Sequence, residues 1–153
     1  MKYVSTRNNS KEYSFDEVFI KGLADDGGLY VPKSIIKYTP KELSNLKNLN
    51  YTELSSEILN QFTSDFISKE RLSVLVSKSY STFREKEVVK ISNVGKIKLL
   101  ELFHGPTLAF KDVAMQFIGN LYEYYLSKND KKINIIVATS GDTGAAAIDA
   151  IKG

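Results

Sequence analysis

The stretch that most constrains this chain is Ile133-Asn134-Ile135-Ile136-Val137-Ala138, which runs straight into Thr139-Ser140-Gly141-Asp142-Thr143-Gly144. A β-branched run of this kind predicts a strand buried on both faces, as in parallel sheets. The glycine-rich turn and the alanine-rich residues 145–151 then predict a helix. Upstream, Asp112 is placed to cap a helix with Val113, Phe117, Ile118, Leu121 and Tyr125 on its inner side. Before it, residues 88–91 and 97–100 read as strands separated by an Asn93-Val94-Gly95 turn. Strand, helix, strand, helix predicts an α/β fold with a parallel sheet. Few other strands in these 153 residues could cover the two-faced strand, so the chain reads as a truncated α/β protein.

The first half has a different texture. Tyr3-Val4-Ser5-Thr6 predicts a short strand, and Ser14 with Glu17 forms a capping box ahead of Phe15, Val18 and Phe19, with Gly22 as the stop. Asp25-Asp26-Gly27-Gly28 predicts a turn leading into Leu29-Tyr30-Val31-Pro32. Thr39 and Glu42 repeat the start signal, with Pro40 at the first helical position. Asn50 and Glu53 open a longer helix with a Leu54, Ile58, Leu59, Phe62 stripe. A further helix over residues 69–83 faces Leu72, Leu75, Val76 and Tyr80 inward. The expected division is a mostly helical domain over 1–84 and the start of an α/β catalytic domain over 85–153.

Composition excludes several functions. The chain has no cysteine, so neither a disulfide framework nor a thiolate metal site is available. His104 is the one histidine and cannot make a histidine cluster for zinc. A net charge of +3, with lysines scattered along the chain, argues against a nucleic-acid partner. No apolar stretch approaches membrane-spanning length, and the N-terminus lacks the apolar core of a signal peptide, so the expected location is the cytoplasm.

Two segments carry chemistry. Lys111 follows Leu108-Ala109-Phe110 and precedes Asp112 at a predicted helix start. An apolar approach favours the neutral amine, the form that attacks an aldehyde to make a Schiff base. The plain alternative is a helix-start lysine with its head in water. The turn Ser140, Gly141, Asp142, Thr143, Gly144 lies at the carboxyl end of the predicted strand, the edge at which open α/β sheets bind ligands. Its amides and hydroxyls suit a carboxylate or phosphate, although the same residues serve an ordinary strand-to-helix turn. Between Lys111 and Asp142 there is room for one helix, a return and one strand, which in a right-handed βαβ unit brings both to one edge.

Leu100-Glu101-Leu102-Phe103-His104-Gly105-Pro106-Thr107-Leu108-Ala109-Phe110-Lys111-Asp112 and Ala138-Thr139-Ser140-Gly141-Asp142-Thr143-Gly144 resemble signature segments of the threonine synthases. Tyr3-Val4-Ser5-Thr6-Arg7, residues 22–32 and Tyr80-Ser81-Thr82-Phe83 are similar to that family too, so the resemblance runs through the whole chain in order. It implies a pyridoxal-phosphate lyase of the tryptophan-synthase-β fold class that converts O-phospho-L-homoserine and water to L-threonine and phosphate. By the same resemblance, Lys111 would form the Schiff base with pyridoxal phosphate and later shuttle protons. Ser140, Gly141, Asp142, Thr143 and Gly144 would hold the substrate carboxylate, and Asp142 would also approach the cofactor's 3-oxygen. The family continues into a glycine-rich loop for the cofactor phosphate and a partner for the pyridine nitrogen. Both fall beyond these residues, so the isolated chain is expected to be inactive.

Three other residues have open roles. His104 is a polar group near the leaving phosphate or a turn histidine bonded to local backbone, the second being favoured by Gly105-Pro106 beside it. Asp112 reads as a helix cap or orienting partner rather than an acid. Arg7 is an anion contact or an exposed strand-end arginine, and Asn8 stands where the family usually has glycine. Two other functions remain open: a related phospho-lyase giving a keto acid, and a non-catalytic interaction domain.

Overall fold

The computed structural model describes residues 1–152. Among them are six α-helices and two antiparallel two-stranded sheets, arranged in two compact units, Met1–Ser73 and the residues from Val74 onward. No helix among the described residues is long and apolar enough to cross a membrane.

In the first unit, β1 (Tyr3–Ser5) pairs with β2 (Tyr30–Pro32), Val4 lying opposite Val31. Tyr3 also exchanges both backbone hydrogen bonds with Tyr13, at 3.0 and 2.9 Å. Tyr3, Tyr13 and Val18 form a buried cluster against Met1, Phe15 and Tyr30. Helix α1 (Phe15–Lys21) starts where Glu17 accepts the Ser14 amide at 2.8 Å. The Ser14 hydroxyl donates to Asp16 and Glu17, because two carboxylates compete for its proton. Gly22, at φ +71, closes the helix by donating to the Val18 carbonyl. Helices α2 (Pro40–Leu46) and α3 (Tyr51–Thr63) start on reciprocal boxes, Thr39 with Glu42 and Asn50 with Glu53.

The α3 stripe departs from expectation. Its buried residues are Ser56 and Thr63, while Leu54, Leu59 and Phe62 are half-buried and Ile58 is exposed. Both hydroxyls donate to carbonyls one turn back, Ser56 to Thr52 and Thr63 to Leu59, and so enter the interior satisfied. The Tyr3 hydroxyl donates to the Phe62 carbonyl at 2.9 Å and ties β1 to the end of this helix.

Helix α4 (Lys69–Tyr80) spans the boundary between the units, and Leu72, Leu75, Val76 and Tyr80 are all buried. It stops at Tyr80, short of the expected 83. Within the second unit, the Ser79 hydroxyl donates to the Leu75 carbonyl and accepts from Asn120, and Tyr80 donates to the Val113 carbonyl. Strands β3 (Lys90–Val94) and β4 (Ile97–Glu101) pair as a hairpin, with Ile91 opposite Leu100. The hairpin begins later than residue 88 because Val88 takes φ +61 in a turn closed on Glu85. Its loop is Gly95-Lys96, with φ +60 at Gly95, the glycine position of a II′ turn.

Helices α5 (Asp112–Asn129) and α6 (Asp142–Ile151) complete the unit. Gln116 donates to Asp149 at 2.8 Å, and Gly119 lies so close to the Ala150 carbonyl that no Cβ would fit. The expected parallel sheet is absent among the described residues. Residues 131–139 carry no strand pairing, and Ile136 is 92% exposed. In this unit β3 and β4 pair with each other, and residues 133–138 are joined to neither outer edge of that hairpin.

Candidate functional site

Lys111 occupies the N-cap position of α5, with its carbonyl accepting from Ala114 and Met115 at 3.1 and 2.9 Å. Asp112, expected as the cap, is instead the first helical residue. Its carboxyl turns back into the preceding loop and is 0% exposed. The Thr107 amide donates to one carboxylate oxygen at 2.8 Å and the Thr107 hydroxyl to the other at 2.7 Å. Gly105 packs against that carboxyl so tightly that a Cβ there would overlap it. Between these residues Leu108 takes φ +64, a left-handed conformation that costs a branched side chain energy. The Lys111 ammonium sits 4.8 Å from the centre of the Phe110 ring, and the lysine as a whole is half-buried.

The approach to this loop is held by His104. Its Nε2 lies 2.8 Å from Glu101, and its carbonyl accepts from the Arg84 amide. The histidine is therefore bonded to a side chain, where local backbone contacts were expected. The Ser92 hydroxyl and the His104 ring hold the Glu101 carboxyl below its ordinary range.

The second segment is built on Thr139. Its hydroxyl oxygen accepts from the amides of Gly144 at 2.9 Å and Gly141 at 3.3 Å, drawing the turn round one atom. Gly141 takes φ +140 at the cap position, and a Cβ on Gly144 would stand 2.7 Å from the Thr139 hydroxyl. Ser140, Gly141 and Asp142 are exposed, Thr143 is half-buried and Gly144 buried. The amides of Asp142 and Thr143 lie in the first helical turn, where no intrahelical acceptor exists. The turn is thus formed and open, and the helices that follow Lys111 and this turn, α5 and α6, pack against each other.

Sequence reading missed the parts that shape these loops. Gly105, Thr107 and Thr139 stood inside the quoted segments without a role. The usable signal was a small or hydroxyl residue a few positions from a helix start. Arg7 donates to the Asp26 carbonyl at 3.0 Å, beside Gly27, in the first unit.

The family described as threonine synthase N terminus matches residues 2–80, and this chain belongs to it. The chain is 42% identical to threonine synthase of Schizosaccharomyces pombe, covering 100% of this chain and 32% of that protein. It is 37% identical to threonine synthase-like 2 of Pongo abelii, covering 100% of this chain and 32% of that one. The crystal structure of PLP-bound threonine synthase from Brucella melitensis superposes with a TM-score of 0.94 at 41% identity, covering 100% of this chain and 33% of that chain. The chain thus spans about a third of the length of these relatives.

Proposed function

We propose that this chain serves as the N-terminal part of a threonine synthase, converting O-phospho-L-homoserine and water to L-threonine and phosphate with pyridoxal phosphate. The observation that carries the reading is the likeness, along all of this chain, to a threonine synthase described as PLP-bound. The residues present fit two ends of such a group: a half-buried amine at Lys111 that forms no ion pair among the described residues, and a turn at 140–144 in which the amides of Asp142 and Thr143 are left open. Pyridoxal phosphate supplies an electron sink for the charge that develops on the amino acid.

In this reading Lys111 holds the cofactor and moves the proton at the substrate Cα. The turn formed by Ser140, Gly141, Asp142, Thr143 and Gly144 binds the substrate carboxylate, with the helix start favouring the anion. Asp142 would approach the cofactor's 3-oxygen. The parallel sheet belongs to this reading as well: residues 133–138 pair with strands of the remaining two thirds of the protein, and the catalytic domain begins after residue 84. The protein works in the cytoplasm.

The chain alone is expected not to release phosphate from O-phospho-L-homoserine, whereas a protein extended to the relatives' length is expected to release phosphate and form L-threonine. Turnover by the chain alone would overturn the assignment of the missing cofactor contacts, and no threonine from the extended protein would overturn the activity. A second reading is a related lyase giving a keto acid, since the chain also matches a protein named threonine synthase-like 2, a name distinct from threonine synthase. The identity of the organic product separates the two.

A further inference from the structure

We propose that Asp112 is a positioning residue for Lys111: its buried carboxyl, bolted to Thr107 and seated on Gly105, fixes the loop that aims the lysine. The inference rests on the reading of Lys111 as the cofactor lysine.

A carboxylate removed from water is costly, and among the described residues Asp112 has no cation as a partner. Its place in the interior therefore depends on the donors that the preceding loop supplies. Its two oxygens are both acceptors, matched to the two donors of one residue, Thr107. That match closes a ring from residue 107 to residue 112 around the one left-handed non-glycine residue of the loop, Leu108. Such a conformation persists when its surroundings over-determine it. Here the determinants are the Asp112–Thr107 pair, the Leu108 amide on the Gly105 carbonyl at 3.2 Å and the Asp112 amide on the Ala109 carbonyl at 3.0 Å. Gly105 completes the device, since any side chain there would displace the carboxyl.

Lys111 is the last residue of this ring before the helix. Its backbone direction is therefore set from both sides, by α5 and by the bolted loop, and the amine is left to lie over Phe110. A reacting group gains most when its support is held rigidly, because small misplacements cost large factors in rate.

The test uses the chain and its Asp112→Ala, Asp112→Asn, Thr107→Val and Thr107→Ser variants. Each is treated with pyridoxal phosphate and borohydride, and peptide mass spectrometry gives the adduct at Lys111 relative to Lys128 on the same helix. Amide exchange of residues 107–111 and circular dichroism are recorded alongside. In the unmodified chain Lys111 is expected to exceed Lys128, with the excess falling about ten-fold in Asp112→Ala and Thr107→Val. Thr107→Ser restores the donor, and Asp112→Asn restores the shape with the Thr107 hydroxyl turned to accept, so both are expected to recover most of the excess. The proposal is overturned if folded Asp112→Ala and Thr107→Val keep the unmodified ratio, or if the conservative variants fail to recover it. Should Asp112→Ala not fold, the Thr107 pair decides alone. If Lys111 in the unmodified chain merely equals Lys128, as the absence of the remaining cofactor contacts allows, the adduct ratio no longer reads positioning. Positioning is then judged by exchange: faster exchange in Thr107→Val that Thr107→Ser reverses supports it, and unchanged exchange overturns it.

Discussion

The two turns that deliver α5 and α6 solve the same problem in opposite ways. Each ends in a helix start, each is organised by a threonine, and each contains a glycine with no room for a side chain. The turn before α5 closes on itself: a buried carboxylate takes both donors of Thr107, and a leucine is held in a left-handed conformation. The turn before α6 is gathered on one hydroxyl oxygen and leaves Ser140, Gly141 and Asp142 exposed. A closed turn presents one side chain in a fixed direction, whereas an open turn presents backbone donors to whatever arrives. The difference matches a lysine that must be aimed and a site that must be entered.

The largest test of this contrast is Asp112→Ala. Removing a buried acceptor of two hydrogen bonds is expected to destabilise the chain by about 3 kcal/mol in denaturant unfolding. A loss near zero would mean that the first turn is as loose as the second. Thr139→Val removes the single anchor of the open turn and is expected to cost about 1 kcal/mol, the size of a lost helix cap. Amide exchange should quicken at Gly141 and Gly144 and stay unchanged at Thr107. If both turns loosen together, they are one mechanical element.

Smaller, and of opposite sign, is Leu108→Gly. It relieves the left-handed strain at a half-exposed side chain while adding freedom to the unfolded chain. We expect stabilisation of up to about 1 kcal/mol in thermal unfolding. Clear destabilisation would show that the leucine side chain, not the backbone shape, closes the turn. The smallest effect concerns pH. Glu101 is held below its ordinary range by Ser92 and His104, so its contribution is present above the ordinary carboxylate value and fades as pH falls through the lowered one. Acid should therefore loosen the approach to the first turn before the second. In Glu101→Gln that acid response, followed by amide exchange over residues 102–107, should flatten.

How much of this was legible depended on the range of the cause. The capping pairs at residues 14, 39 and 50 were readable because donor and acceptor lie three positions apart, within reach of local chemistry. The inward positions of α4 followed from spacing alone. The α3 stripe misled because periodicity does not register that serine and threonine can satisfy themselves on their own helix and then be buried. The hairpin shifted because the φ of Val88 is set by a turn to Glu85, not by its β propensity. At the candidate site, the motif residues 111 and 140–144 stood out by type. The carboxyl of Asp112 reaching back to Thr107 did not, since a first-turn acid on a helix has the same sequence whichever way it points.

The unpaired segment after α5 has a consequence for handling and for biogenesis. The Ile133-Asn134-Ile135-Ile136-Val137 run, assigned to no helix or strand, has the composition of a stacking segment, able to template itself on a second copy. Lys131 and Lys132 stand immediately before it, both exposed, and in-register stacking would pile like charge on like charge. Because salt screens such repulsion within about 8 Å at physiological ionic strength, these two lysines act as a solubility guard that weakens as ionic strength rises.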